Sequence, residues 1–171
     1  FAYAQAHFPN QPIYLFGQSM GAAAILRSIH TDALKPDGII LEAVFDTLLN
    51  TTRNRFDSMG IPSFPSAHLL TFWGGIVMGI DAFSHRPMEY AKAVTVPTIV
   101  LHGGSDPRAR LEDGQRVFDA LQCPKKMWVF EGLLHGSTVG AETELWRARM
   151  ARFLADPMGF TQANTETRTG A

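Results

Sequence analysis

Four short runs of almost unbroken apolar residues, separated by stretches with helical spacing, set the pattern of this chain. Residues 12–16, 38–45, 98–102 and 126–130 are apolar at consecutive rather than alternate positions. A strand without a polar face is buried on both sides, as in a parallel sheet covered by helices. Between these runs, residues 20–30 open with small side chains and read as a helix. Leu111, Val117, Phe118 and Leu121 fall near helical spacing and predict a second helix over 111–121. Leu145, Trp146, Met150, Phe153 and Leu154 predict a closing helix whose arginines, Arg147, Arg149 and Arg152, mostly face water. Strands alternating with helices define the α/β class, with a mostly parallel sheet and helices on both of its faces.

Residues 46–93 interrupt this rhythm. The segment is too long for a plain crossover and carries Pro62, Pro65 and Pro87 beside an apolar stretch around Phe72 and Trp73. It is expected to form a cap over the strand ends, where its apolar side chains either line an acyl pocket or pack an extra helix. The chain begins at Phe1, and residues 1–8 read as the last turns of a helix before the stop signal Pro9-Asn10-Gln11-Pro12, so an upstream portion is expected to be missing. The core is thus placed at residues 1–155 and a polar, disordered tail at 156–171.

Composition narrows the function classes. The 171 residues suffice for one sizeable core, and 15 basic against 16 acidic residues leave no basic stripe for nucleic acid. Small or neutral substrates fit better. Cys123 is the only cysteine, which rules out an intrachain disulfide and favours a reducing compartment, the cytoplasm foremost. No Cys/His cluster has zinc spacing, and residues 69–80, the most apolar stretch, fall well short of the roughly 20 needed to span a bilayer.

The candidate chemistry begins at Gly17-Gln18-Ser19-Met20-Gly21, between the first strand and the first long helix. Glycines two before and two after a serine permit a sharp strand-to-helix turn that strains the serine and exposes its hydroxyl at the carboxyl edge of the sheet. A bulky side chain at Gly17 or Gly21 is expected to strike neighbouring elements. A serine hydroxyl needs a base to take its proton and a carboxylate to orient that base. Asp106 follows the third strand and His135 the fourth, which gives the order Ser, Asp, His of a nucleophile elbow. His7, His30, His68, His85 and His102 are poorer candidates, since none sits in a glycine-flanked loop after a strand. Asp46, directly after the second strand, is the rival acid. Glu112 and Asp113 suit the start of a helix, where negative charge meets the dipole. Glu42 reads as structural.

These residues carry a family resemblance. Tyr14-Leu15-Phe16-Gly17-Gln18-Ser19-Met20-Gly21, residues 96–106 and Gly132-Leu133-Leu134-His135 together resemble the carboxyl-terminal two-thirds of an α/β-hydrolase, in the serine-aminopeptidase-like and prolyl-oligopeptidase-like branch. The resemblance implies Ser19 as nucleophile, His135 as base, Asp106 as orienting acid and the Met20 backbone N–H as one oxyanion donor. It also implies upstream strands and a loop giving the second oxyanion N–H, neither of which is in this sequence. Strand 12–16 would then have an open apolar edge, through which the chain could self-associate. Loss of one oxyanion donor would lower the rate by roughly 10² to 10³.

The expected function is hydrolysis of carboxylic esters through an acyl-enzyme on Ser19, with no cofactor and no metal. Cleavage of short peptides, acyl transfer to an alcohol, and a non-catalytic binding module are the rival readings.

Overall fold

The four apolar runs become four strands: β1 (Tyr14–Gln18), β2 (Gly38–Glu42), β3 (Thr98–Gly103) and β4 (Lys125–Phe130). The computed structural model describes residues 1–141 and 143–162. All neighbouring pairs are parallel, and the strands lie side by side in chain order. β2 and β3 are buried at every position, which explains the consecutive apolar residues Ile39, Ile40 and Leu41 and Ile99, Val100 and Leu101. Among the described residues β1 is an edge, paired only with β2, and leaves Phe16 51% exposed.

Alternate side chains of the central strands feed two separate cores. Ile39, Leu41 and Val100 meet Ala22, Leu26 and Ile29 of α2 (Met20–Asp32) and Val117 of α6 (Leu111–Ala120). Ile40, Ile99 and Leu101 turn the other way, onto Met150 and Phe153 of α7 (Thr143–Ala155). Steady displacement across the sheet with crossovers of one hand puts the connecting helices on one face, and leaves the other to the segment that follows the last strand.

The long connection from β2 to β3 holds α3 (Leu48–Ser58), α4 (Ser63–Met78) and the short α5 (Pro87–Tyr90). It is closed at its base by two reciprocal backbone bonds: Leu48 N–H donates to the His85 carbonyl at 3.0 Å and Met88 N–H to the Asp46 carbonyl at 3.1 Å. α3 and α4 pack on each other, whereas Ala91 and Val94 just beyond α5 belong to the same core as α2 and α6. α4 is apolar around most of its circumference, and Trp73, Val77 and Met78 remain exposed. Among the described residues no helix is long and apolar enough to cross a membrane.

Element boundaries differ from the sequence reading in small ways. β1 starts two residues later than residue 12, since Pro12 has no N–H for a ladder, and runs on through Gln18. The upstream turn is α1 (Ala2–His7). The expected disordered tail is corrected over its first part: Pro157–Gln162 forms α8, because Phe160 packs edge-on to Phe153 and joins the second core. Residues 163–171 of that expected tail lie outside the described residues.

The elbow glycines behave differently from each other. A Cβ on Gly17 would come within 2.6 Å of the Gly21 carbonyl carbon and 2.7 Å of the Ala22 nitrogen, so only glycine lets the strand run this close under the helix. Gly21 does not meet the expectation, for it is exposed and a Cβ there has nothing within 4 Å. Gly17→Ala should therefore destabilise the chain by about 3 kcal/mol. Gly21→Ala should leave stability unchanged or raise it by up to about 1 kcal/mol, as alanine does in a helix. Urea midpoints of the two variants check the contrast, and equal losses would contradict it.

Candidate active site

Parallel strands have all their carboxyl ends at one edge, and there the structure collects the loops after β1, β3 and β4. Ser19 sits between the last residue of β1 and the first of α2 with φ 51° and ψ −111°, a left-handed conformation that costs a residue with a Cβ about 1–3 kcal/mol. Its N–H donates to the Glu42 carbonyl at 2.8 Å, which ties the strained turn to β2. The helix ladder begins with Ala23 N–H to the Ser19 carbonyl, so the Met20 N–H belongs to the first turn of donors that the helix leaves free.

The loops bearing Asp106 and His135 are knitted by main-chain bonds. Gly104 N–H donates to the Phe130 carbonyl at 2.8 Å and Ser105 N–H to the Leu133 carbonyl at 3.1 Å. Gly103 permits the approach, since a Cβ there would lie 2.5 Å from the Leu133 carbonyl oxygen. The result is direct contact: His135 Nδ1 donates to Asp106 Oδ2 at 2.7 Å, with the carboxylate fully buried and the imidazole 19% exposed. Asp106 Oδ1 accepts from the N–H groups of Arg108, at 2.8 Å, and Ala109, at 3.0 Å. Burial pushes this carboxyl up, but the hydrogen bond and charge of His135 and the two amides outweigh it and hold the group below the usual aspartate value.

Ser19, Met20 and His135 line one cleft of about 480 Å³, whose other walls include Phe45, Leu48 and Leu70. An adjoining, almost wholly apolar cavity of about 510 Å³ shares Met20, Leu48 and Leu70 and continues along Met78 and Ile80. Side chains of α3 and α4 thus line space next to Ser19 as well as packing on each other. Among the described residues Ser19 and His135 share this cleft without a direct hydrogen bond, and contacts of this kind often tighten only when substrate is bound.

The rival acid does not reach the imidazole. Asp46 accepts from Thr47 N–H at 2.6 Å, from Asn50 Nδ2 at 3.1 Å and from Arg116 Nε at 2.8 Å, and these partners commit its carboxylate to α3 and α6. Asp113 opens α6 by accepting from Arg110 N–H, yet it is also buried and paired with Arg116, Asn50 and Asn54. Burial and the nearby Asp46 charge raise its carboxyl above the usual range. The other histidines have other partners. His7 stacks on Tyr3, His30 on Tyr90, His68 meets Arg53, His85 is wedged between Phe45 and Tyr90, and His102 contacts the Ala109 carbonyl through Nε2. Burial, with the Arg27 charge, lowers the His85 pKa below the usual histidine value.

Sequence reasoning left Glu42 as merely structural, and its task is now visible. Its buried carboxylate accepts from Thr138 N–H at 2.6 Å and from Thr138 Oγ1 at 2.5 Å, while Trp146 Nε1 donates to the same hydroxyl at 3.1 Å. This anchors the chain three residues beyond His135 to the end of β2. Thr138 was not legible as a site residue, because nothing in its spacing marks it.

Sequence comparison adds nothing: no family model and no curated protein matches the chain. Solved structures do. An esterase of Pyrococcus furiosus superposes with a TM-score of 0.68 at 19% identity, over 92% of this chain and 59% of that one. A monoacylglycerol lipase of Paleococcus ferrophilus gives 0.60 at 17% identity over 90% and 72%, and a bromoperoxidase of Bacillus anthracis 0.60 at 19% over 91% and 71%. The chain spans about three-fifths of the length of that Pyrococcus esterase. A four-stranded parallel sheet in chain order, a strained serine between the first strand and its helix, and these superpositions establish that the chain has the α/β-hydrolase fold.

Proposed function

We propose that the chain carries the nucleophile, base and acid of a serine hydrolase that cleaves carboxylic esters. One observation carries the reading: the His135–Asp106 hydrogen bond of 2.7 Å forms in the wall of the same cleft that Ser19 lines. In this mechanism Ser19 Oγ attacks the ester carbonyl as His135 Nε2 takes its proton, and the alcohol leaves with that proton. Water, deprotonated by the same nitrogen, then releases the acid from Ser19. Asp106, held below the usual aspartate range, stays ionised throughout, fixes the tautomer with the proton on Nδ1 and stabilises the imidazolium. The Met20 N–H, at the start of α2, is placed in the sequence to receive the developing oxyanion. Apolar lining at Met20, Leu48 and Leu70 gives an acyl group a surface to pack on, beside Arg55 and Arg108 in the same cleft, and the structural neighbours include esterases and a lipase. The same acyl-enzyme would serve a peptidase, distinguished by comparing p-nitrophenyl esters with aminoacyl anilides.

Ser19→Ala should abolish both labelling by a fluorophosphonate probe and hydrolysis of p-nitrophenyl acetate, since loss of the nucleophile of a working triad costs about 10⁶ in rate. Retention of either would overturn the assignment of Ser19 as nucleophile, whereas a parent protein that neither labels at Ser19 nor hydrolyses an activated ester would leave a binding module as the better reading. Asp106→Asn should lower kcat by about 10³- to 10⁴-fold while Ser19 remains in place. The same variant has a signature in stability. Because the folded-state pKa of Asp106 lies below its unfolded value near 3.8, the His135–Asp106 pair contributes above that value and its contribution is lost as pH falls through the lower folded pKa. Between pH 6 and pH 3 the parent should thus lose more stability than Asp106→Asn, measured as urea midpoints, and parallel losses would contradict the charge pairing.

A further inference from the structure

Asp106 is oriented by main-chain amides, and one of them, that of Ala109, is itself held from α3. The N–H of Ala109 that donates to Asp106 Oδ1 and the carbonyl of Arg108 belong to one planar peptide unit, so fixing the carbonyl fixes the direction of the N–H. That carbonyl accepts two side-chain donors, Thr51 Oγ1 at 3.1 Å and Asn54 Nδ2 at 3.1 Å. Asn54 is buried, and its other amide proton goes to Asp113 Oδ2 at 2.8 Å. With both protons directed at acceptors, the amide has a single sensible orientation. The next peptide is clamped as well: His102 Nε2 lies 2.8 Å from the Ala109 carbonyl, and the Arg110 N–H of that unit donates to Asp113 Oδ2 at 3.1 Å.

On the footing of the ester-hydrolase reading above, we infer that Thr51 and Asn54 are positioning residues for the catalytic acid, acting through the Arg108 carbonyl to aim the Ala109 amide that helps hold the Asp106 carboxylate toward His135. Neither residue touches the reacting atoms through this role. Both lie on α3, the helix that borders the cleft, so the placement of the cap and the alignment of the acid are one mechanical unit. Removing one donor leaves the carbonyl with a single side-chain hold, and the Asp106 carboxylate is directed less firmly while it keeps its charge. A net hydrogen-bond contribution of ordinary size corresponds to about a three- to tenfold effect for each donor.

The test compares Thr51→Val, Asn54→Ala and Thr51→Ser with the parent chain in three readouts. These are kcat and KM for p-nitrophenyl acetate, the far-downfield proton resonance of His135 Nδ1, and the melting temperature. Thr51→Val and Asn54→Ala should lower kcat about three- to tenfold with KM within twofold, and should shift or broaden the downfield proton. Thr51→Ser, which keeps the hydroxyl, should match the parent in both. Since Thr51 also borders the cleft, a simple loss of substrate contact would instead raise KM. A lower melting temperature with kcat and the downfield proton unchanged would reduce both residues to packing and overturn the inference. Should Asn54→Ala fail to fold, Thr51→Val decides on the same carbonyl. If the parent neither labels at Ser19 nor hydrolyses the ester, the ester-hydrolase reading fails, whereas the resonance still reports whether α3 aligns the His135–Asp106 pair.

Discussion

Common strand direction is the constraint on which the rest depends. Strands that run the same way end at the same edge, so residues distant in sequence arrive together without any long-range recognition of their own. Position along each strand then becomes position in the site: the register that pairs Gln18 with Glu42, Glu42 with Leu101 and Leu101 with Trp128 sets where the following loops leave the sheet. Two backbone bonds tie the loop after β3 to the loop after β4, where a carboxylate and an imidazole come into contact.

Around this edge the fold buries several carboxylates, and each is compensated in a different manner. Asp106 is satisfied by amides and an imidazole, Glu42 by a threonine, and Asp113 by two asparagines and Arg116. A buried charge stripped of such partners destabilises by several kcal/mol, so these groups make the loops intolerant of displacement. They add little net stability beyond what apolar packing would give, but they leave few alternative arrangements for the site.

The sequence made the sheet legible because burial on both faces leaves a plain signature, unbroken apolar runs bounded by proline and glycine. The strained turn at Ser19 and the contact between His135 and Asp106 were readable for the same reason, as each of these residues follows a strand. What was not readable depends on contacts between remote segments. Asp46 stood as the rival acid to Asp106 until Arg116, 70 residues away, claimed its carboxylate. Gly21 looked constrained by analogy with Gly17, yet it faces outward. The roles of Thr138, Thr51 and Asn54 have no local pattern at all, since hydrogen bonds to a distant carbonyl or carboxylate leave no periodicity behind.

The left-handed backbone of Ser19 has a consequence for how such a chain evolves. Glycine at that position would adopt the same angles with little strain, so a lineage under pressure for durability alone would drift toward it. Holding a serine there means forgoing that relief in every molecule made, a cost that the packing of the fold does not itself require.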